Sequence, residues 1–343
     1  MKRNLQHIDE VRFLIIHLIL INHWLLSLWI AKTNVNVSLS DWWIELTSPC
    51  LALLSGYLFF FRTREKFSFK KKVIARWHSL VIPYLAWTLT FFLLFYLMKE
   101  GYKAIFHTSY WYADIRPITF PNLLYDLVHP PLVNFWYLQN LILIIPFNFV
   151  FYYLLKNNYA FIALFIAVIL IYAFKPFDIY FEPRFLPFYL LGCWLGFNEK
   201  HVPEYKLNKF SSTILALVLC FLAVVTYHLE YSNLGIILLK VLIACSFLIG
   251  CYYFMDSNQN SWIFRYLHKY KDISFFLFAI HMFFFGIVQR GLMKAGAEPY
   301  LANKYFTLAF CIGSTLIVLI MSLTTGWLLR KYVPKFYGFI TGR

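Results

Sequence analysis

Ten apolar runs recur along the 343 residues, at 12–31, 43–61, 77–98, 135–155, 159–174, 186–198, 211–228, 234–255, 273–293 and 305–329. An α-helix needs about 20 apolar residues to cross a hydrocarbon core roughly 30 Å thick. Inside that core every backbone N–H and C=O must find its partner within the protein, which leaves helices or closed barrels. Barrel strands are shorter and alternate in polarity; these runs do neither. The chain reads as all-α, a polytopic transmembrane helical bundle of about ten spans forming one integral-membrane domain over 1–343. Composition agrees: 14% of residues are charged and 61% hydrophobic, where a soluble domain carries about 25% charged residues. The fifth and sixth runs are short, and 175–185 reads as a re-entrant or interfacial turn. No small-residue cleavage site follows the first run, so it is expected to stay as a span.

The net charge is +15. In a soluble chain that would point to nucleic acid, but here the positive-inside rule explains it, and no nucleic-acid partner is expected. With the N-terminus inside, twenty Lys and Arg fall on inner segments and nine on outer ones. That asymmetry predicts both termini in the cytoplasm and an even number of spans. The six cysteines sit singly on apolar runs with no metal-ligand spacing. They read as small hydrophobes in helix packing, and no metal is expected. The longest outer connection, from Lys99 to Asn134, carries Tyr102, Phe106, Tyr110, Trp111, Tyr112, Phe120 and Tyr125. These are interfacial anchors or a platform for sugar stacking.

The first run carries Arg12 at its start and His23 well inside. Eleven residues bring the helix roughly 20° past three full turns and about 16 Å along its axis, so both side chains leave one face. Ionisable groups within a span are costly and face a bundle interior or a water-filled cavity. Asp9 and Glu10 precede Arg12. They favour the helix dipole in the first turn, or one of them pairs with Arg12 and fixes it. His17 lies about 120° off this face and is expected to pack elsewhere.

At these residues the chain resembles membrane acyltransferase family 3, which O-acylates sugars and related acceptors. Asp9, Arg12 and His23 match the family's Asp, Arg, ten residues, His pattern, with Phe13 where the family usually has Gly. Ser55 and Gly56 in L-L-S-G-Y-L-F match its Ser-Gly-aromatic element. Arg76, Pro83, Tyr84 and Trp87 match its basic stretch and the Pro-aromatic and Trp that follow; Lys70, Lys71, Lys72 and Arg76 stand in for a double arginine. Trp136, Tyr137 and Leu138 resemble a further signature, Gly192 and Gly196 a Gly-bearing span, and Ser274 to His281 a Ser-aromatic…His span. The matches run in order over the whole chain.

The resemblance implies an O-acyltransferase of a bacterial cytoplasmic membrane. It would move an acyl group, acetyl first among the candidates, from cytoplasmic acyl-CoA to a hydroxyl of an extracytoplasmic glycan or glycolipid. His23 is then the candidate general base, since imidazole has a fitting intrinsic basicity. Arg12, Asp9, Glu10 and His281 complete the candidate catalytic set. Arg76, Lys72, Ser55, Gly56 and Tyr84 are the candidates for holding the donor, and Trp136, Tyr137 and Arg184 for the acceptor. From Arg62 to Arg76 seven Lys and Arg face the single Glu65, a cluster that suits phosphates or anionic lipid. A covalent acyl-enzyme through Ser55 has no triad in support. The competing reading is a transporter or flippase with Arg12, His23 and Lys240 lining a path; no inverted repeat is evident. A scaffolding subunit would have little use for Arg12 and His23 on one face. The sequence leaves the acceptor, the acyl group and the oligomeric state open, a homo-oligomer included.

Overall fold

A computed structural model describes residues 7–30, 38–64, 67–106, 119–129, 132–174, 185–200, 208, 210–215, 217–218 and 234–343. Every regular element among the described residues is helical. The first is α1 (Ile8–Ile30), about 34 Å long at 1.5 Å per residue. It is followed by α2 (Ser38–Phe60), α3 (Phe69–Arg76), α4 (Ile82–Phe106), α5 (Phe120–Val128), α6 (Trp136–Ile144) and α7 (Asn148–Leu154). Then come α8 (Asn158–Phe174), α9 (Leu186–Phe197), α10 (Leu234–Ser257), α11 (Trp262–Tyr270), α12 (Ser274–Leu292), α13 (Lys304–Tyr332) and α14 (Pro334–Thr341).

Among the described residues four stretches are long and apolar enough to cross a bilayer: Phe69–Gly101, Gly235–Ser257, Trp262–Ala297 and Tyr305–Tyr332. A fifth is the pair α6 and α7, if the two form one broken span. The run at 135–155 thus differs from a single helix, because α6 and α7 meet at 59°. Pro146 sits at the break, and proline has no amide hydrogen to continue the ladder. The Ile142 carbonyl, which a helical amide at 146 would have met, accepts instead from the Ile145 amide at 3.1 Å, and the Asn148 side chain donates from Nδ2 to the Ile144 carbonyl at 3.1 Å. The basic stretch is helical over its second half. Ser68 caps α3 by accepting from the Lys71 amide at 3.5 Å, so Lys70, Lys71, Lys72 and Arg76 ride a helix. That helix continues through a wide turn, Trp77–Val81, into α4. Within the connection from Lys99 to Asn134, Thr119 caps α5 and leaves Phe120 and Tyr125 exposed. The residues at 107–118, 175–184 and 219–233 lie outside the described set, and so do the expected turn and Arg184.

The closest helix crossing joins α2 to α9. A methyl group at Gly56 would strike the Tyr189 carbonyl; one at Gly192, the Leu53 carbonyl; one at Gly196, the Tyr57 carbonyl. The two backbones therefore touch where only glycine fits. Small residues permit such an approach in membranes, where packing rather than a hydrophobic driving force holds helices together.

One end of the bundle is tied by charge. Glu10, only 1% exposed on its side chain, accepts from Lys271 Nζ at 2.8 Å and from His268 Nδ1 at 2.7 Å. Asp272 pairs with Arg343 at 2.9 Å and Arg330 at 3.2 Å, and its carbonyl accepts from the Tyr337 hydroxyl at 3.1 Å. The start of α1, the α11–α12 junction and the end of the chain thus share one end. Trp87 Nε1 donates to the Ile340 carbonyl at 2.8 Å and anchors α14 against α4. Gly192→Ala is expected to lower unfolding stability by about 1–3 kcal/mol, the usual cost of overpacking. Thermal unfolding in detergent measures it.

Candidate active site

The site is built from the first turn of α1 inward. Arg12 Nη2 donates to Asp9 Oδ1 at 2.6 Å, one helical turn back. Of the two acids expected to fix Arg12, the structure uses Asp9; Glu10 is turned to Lys271 and His268. The Arg12 Nε atom is buried and has no hydrogen-bond partner.

A small, partly open cavity of about 20 Å³ is lined by Ser55, Phe59, Arg76, Leu80, Leu141, Ile145 and Tyr189. Its polar wall is positioned by three elements. Ser55 comes from α2 and shares a hydrogen bond with the Tyr137 hydroxyl of α6 at 2.9 Å. Tyr189 comes from α9 and donates to Asn148 Oδ1 at 3.0 Å. Arg76 ends α3 and stands 5.6 Å above the Phe59 ring, as does Lys72. The Arg12 and Arg76 guanidiniums are both within electrostatic reach of the Tyr137 phenol. This small, largely apolar cavity therefore carries cations at its edge and hydroxyls in its wall.

Beyond Tyr137 a chain of ring contacts leads to α12. The Tyr137 ring packs against Phe278 at 6.0 Å, and Phe278 against His281 at 6.1 Å. The His281 ring lies 5.0 Å from the ring of His23. His281 is fully buried, and its Nδ1 bonds the Leu277 carbonyl at 3.1 Å. A carbonyl only accepts, so Nδ1 carries the hydrogen and neutral His281 presents Nε2 as a lone pair. That Nε2 is buried with no partner, and so is His23 Nδ1. Asn134, in the turn before α6, donates from Nδ2 to the Phe278 carbonyl at 2.7 Å, while its Oδ1 has no partner. Unpaired buried polar atoms are rare in native proteins and need an explanation; here several gather around one imidazole pair.

The remaining sequence candidates are placed as follows. Tyr84 donates to the Leu127 carbonyl at 2.7 Å and ties α4 to α5. Gly56 is buried in the α2–α9 crossing. Trp136 is half-buried and stands edge-on to Tyr137 at 6.1 Å. His17 packs off the Arg12–His23 face, bonding the Phe13 carbonyl at 2.8 Å and the Tyr266 hydroxyl at 2.9 Å. Lys240 is buried on α10 and lines no part of the cavity. Arg184 lies outside the described residues. Among the described residues no group of three or more His, Cys, Asp or Glu is placed to hold a metal. Sequence reasoning passed over Tyr189, Asn148 and Asn134. Their one available signal was polarity within or beside an apolar run, since such groups turn inward.

Apolar helices of spanning length around buried ionisable side chains define an integral membrane protein with a polar interior. Its family is shown by comparison: the family described as an acyltransferase domain matches residues 5–326, nearly the whole chain. The chain belongs to membrane acyltransferase family 3, and it is an acyltransferase, an O-acyltransferase-like enzyme. No curated protein and no solved structure matches it. Ser55→Ala strands the buried Tyr137 hydroxyl and is expected to cost about 1–3 kcal/mol of stability. Adding Tyr137→Phe is expected to recover part of that loss, which a double-mutant cycle read by thermal unfolding tests.

Proposed function

We propose that this enzyme moves an acyl group, acetyl first among the candidates, from cytoplasmic acyl-CoA to a hydroxyl of an extracytoplasmic glycan or glycolipid. The observation that carries this reading is the His23–His281 pair, 5.0 Å apart, each with a buried ring nitrogen that has no partner. The pair stands at the end of the chain of ring contacts that starts at Tyr137, within electrostatic reach of the Arg12 and Arg76 guanidiniums. In this reading the chain crosses a bacterial cytoplasmic membrane about ten times with both termini inside. The Glu10 and Asp272 ion pairs then mark the cytoplasmic end. Arg12, Arg76 and Lys72 hold the donor's phosphates there, Arg by paired N–H donors. The donor's acyl-pantetheine arm runs past Ser55, Phe59 and Tyr189, and Trp136 and Tyr137 line the approach of the acceptor.

Transfer is direct. His23 takes the proton of the acceptor hydroxyl as its oxygen attacks the thioester carbonyl carbon. The tetrahedral intermediate collapses, the C–S bond breaks and the proton passes to the departing thiolate. Asp9 holds Arg12 in place, and His281 completes the polar lining opposite His23. General-base help is worth about 10²–10⁴ in rate, and His23→Ala is expected to lose about that much transfer while inserting normally. Labelled acyl-CoA with deacylated envelope glycan, read by mass spectrometry for the gained acyl mass, measures it. Wild-type transfer by the variant would discard the base.

A further inference from the structure

Two buried acceptor atoms beside the imidazole pair lack a donor. Asn134 is 2% exposed, and its Nδ2 is committed to the Phe278 carbonyl at 2.7 Å. That bond fixes the amide: the carbonyl can only accept, so nitrogen faces Phe278 and Oδ1 faces away. Oδ1 is enclosed and unpartnered. His281 is 0% exposed, and its Nδ1–H is committed to the Leu277 carbonyl in the same way. Its Nε2 is left as an enclosed, unpartnered lone pair. Phe278 and His281 are three residues apart on α12, hence neighbours on one helix face. The Asn134 amide is therefore pinned beside His281, whose ring lies 5.0 Å from His23.

A buried acceptor left without a donor is costly. Two such acceptors next to the unpaired His23 Nδ1 call for hydroxyl donors. A simple alcohol has one O–H, which the proposed base takes up. A polyol has more, and adjacent ring hydroxyls stand at hydrogen-bonding distance from each other.

Resting on the transfer reading above, we propose that Asn134 Oδ1, beside His281 Nε2, receives a second hydroxyl of the acceptor, so that the enzyme selects a polyol with a free hydroxyl next to the one acylated. Asn134 is then a specificity residue. It touches the acceptor, takes no part in the bond changes, and discriminates because an acceptor lacking the second hydroxyl leaves Oδ1 dry and unpaired. Sites built to bond a hydroxyl reject the analogue without it far more strongly than apolar pockets reject a missing methylene.

The test uses the full-length protein in lipid nanodiscs with labelled acetyl-CoA. Deacylated envelope glycan reports whether transfer occurs at all; cis-cyclohexane-1,2-diol and cyclohexanol report the second hydroxyl. The expected result is at least about a tenfold preference of the wild type for the diol, expressed in the acceptor KM rather than in kcat. Asn134→Leu is expected to abolish that preference, bringing the KM for the diol to that for cyclohexanol. Asn134→Asp keeps an acceptor oxygen and is expected to restore much of the preference; it also serves where Asn134→Leu fails to fold. Equal use of diol and alcohol by the wild type overturns the inference alone. So does a preference undiminished in Asn134→Leu, or acetylation of glycan with neither probe accepted. Absence of any transfer by the wild type overturns the transfer reading and this inference with it.

Discussion

The arrangement of the interior depends on the backbone contact between α2 and α9. Three glycines remove the side chains that would hold these helices apart, and carbonyls of each helix rest on the other. The crossing brings Ser55 and Tyr189 into one wall, because Ser55 precedes Gly56 and the Tyr189 carbonyl lies against that glycine. In water such a crossing would be assisted by the hydrophobic effect. In a bilayer, where lipid is as apolar as leucine, the closeness of the fit is itself the stabilising term.

Around that crossing the protein meets the demand that polar groups inside hydrocarbon find partners. It does so in two ways. At one end, charge neutralises charge: Glu10 with Lys271 and His268, Asp272 with Arg330 and Arg343. Deeper, neutral groups pair across helices, as Ser55 with Tyr137 and Tyr189 with Asn148. The break between α6 and α7 belongs to the same economy. Pro146 interrupts the ladder, Asn148 caps the Ile144 carbonyl at the bend, and the other end of the Asn148 amide holds Tyr189. A kink thereby orients a cavity side chain.

Buried atoms without partners include the hydroxyls of Thr88, Thr315 and Ser322, and also a group near the imidazole pair. Arg12 Nε, His23 Nδ1, His281 Nε2 and Asn134 Oδ1 are all buried without partners, along a line from the first turn of α1 to the imidazole pair. An acyltransferase working on a hydroxyl needs a lone pair to take a proton and acceptors to orient the alcohol. This region offers both, within an enzyme whose family match covers residues 5–326.

The sequence by itself determined the helical class, the membrane setting and the pairing of Arg12 with His23 on one face. Each follows from a period or a length that the backbone imposes locally: 3.6 residues per turn, about 20 residues per bilayer. It also set out the order of motifs that marks the family. What it could not decide was which acid holds Arg12, because Asp9 and Glu10 are adjacent and only the position of Lys271, about 260 residues away, draws Glu10 aside. Nor could it bring His281 to His23, or Asn134 to Phe278, because those meetings join distant parts of the chain. The break at Pro146 was readable as a proline, but not its use, which lies in where Asn148 finds Tyr189. Local periodicity fixes which face of a helix is polar; only the packing of helices decides what that face meets.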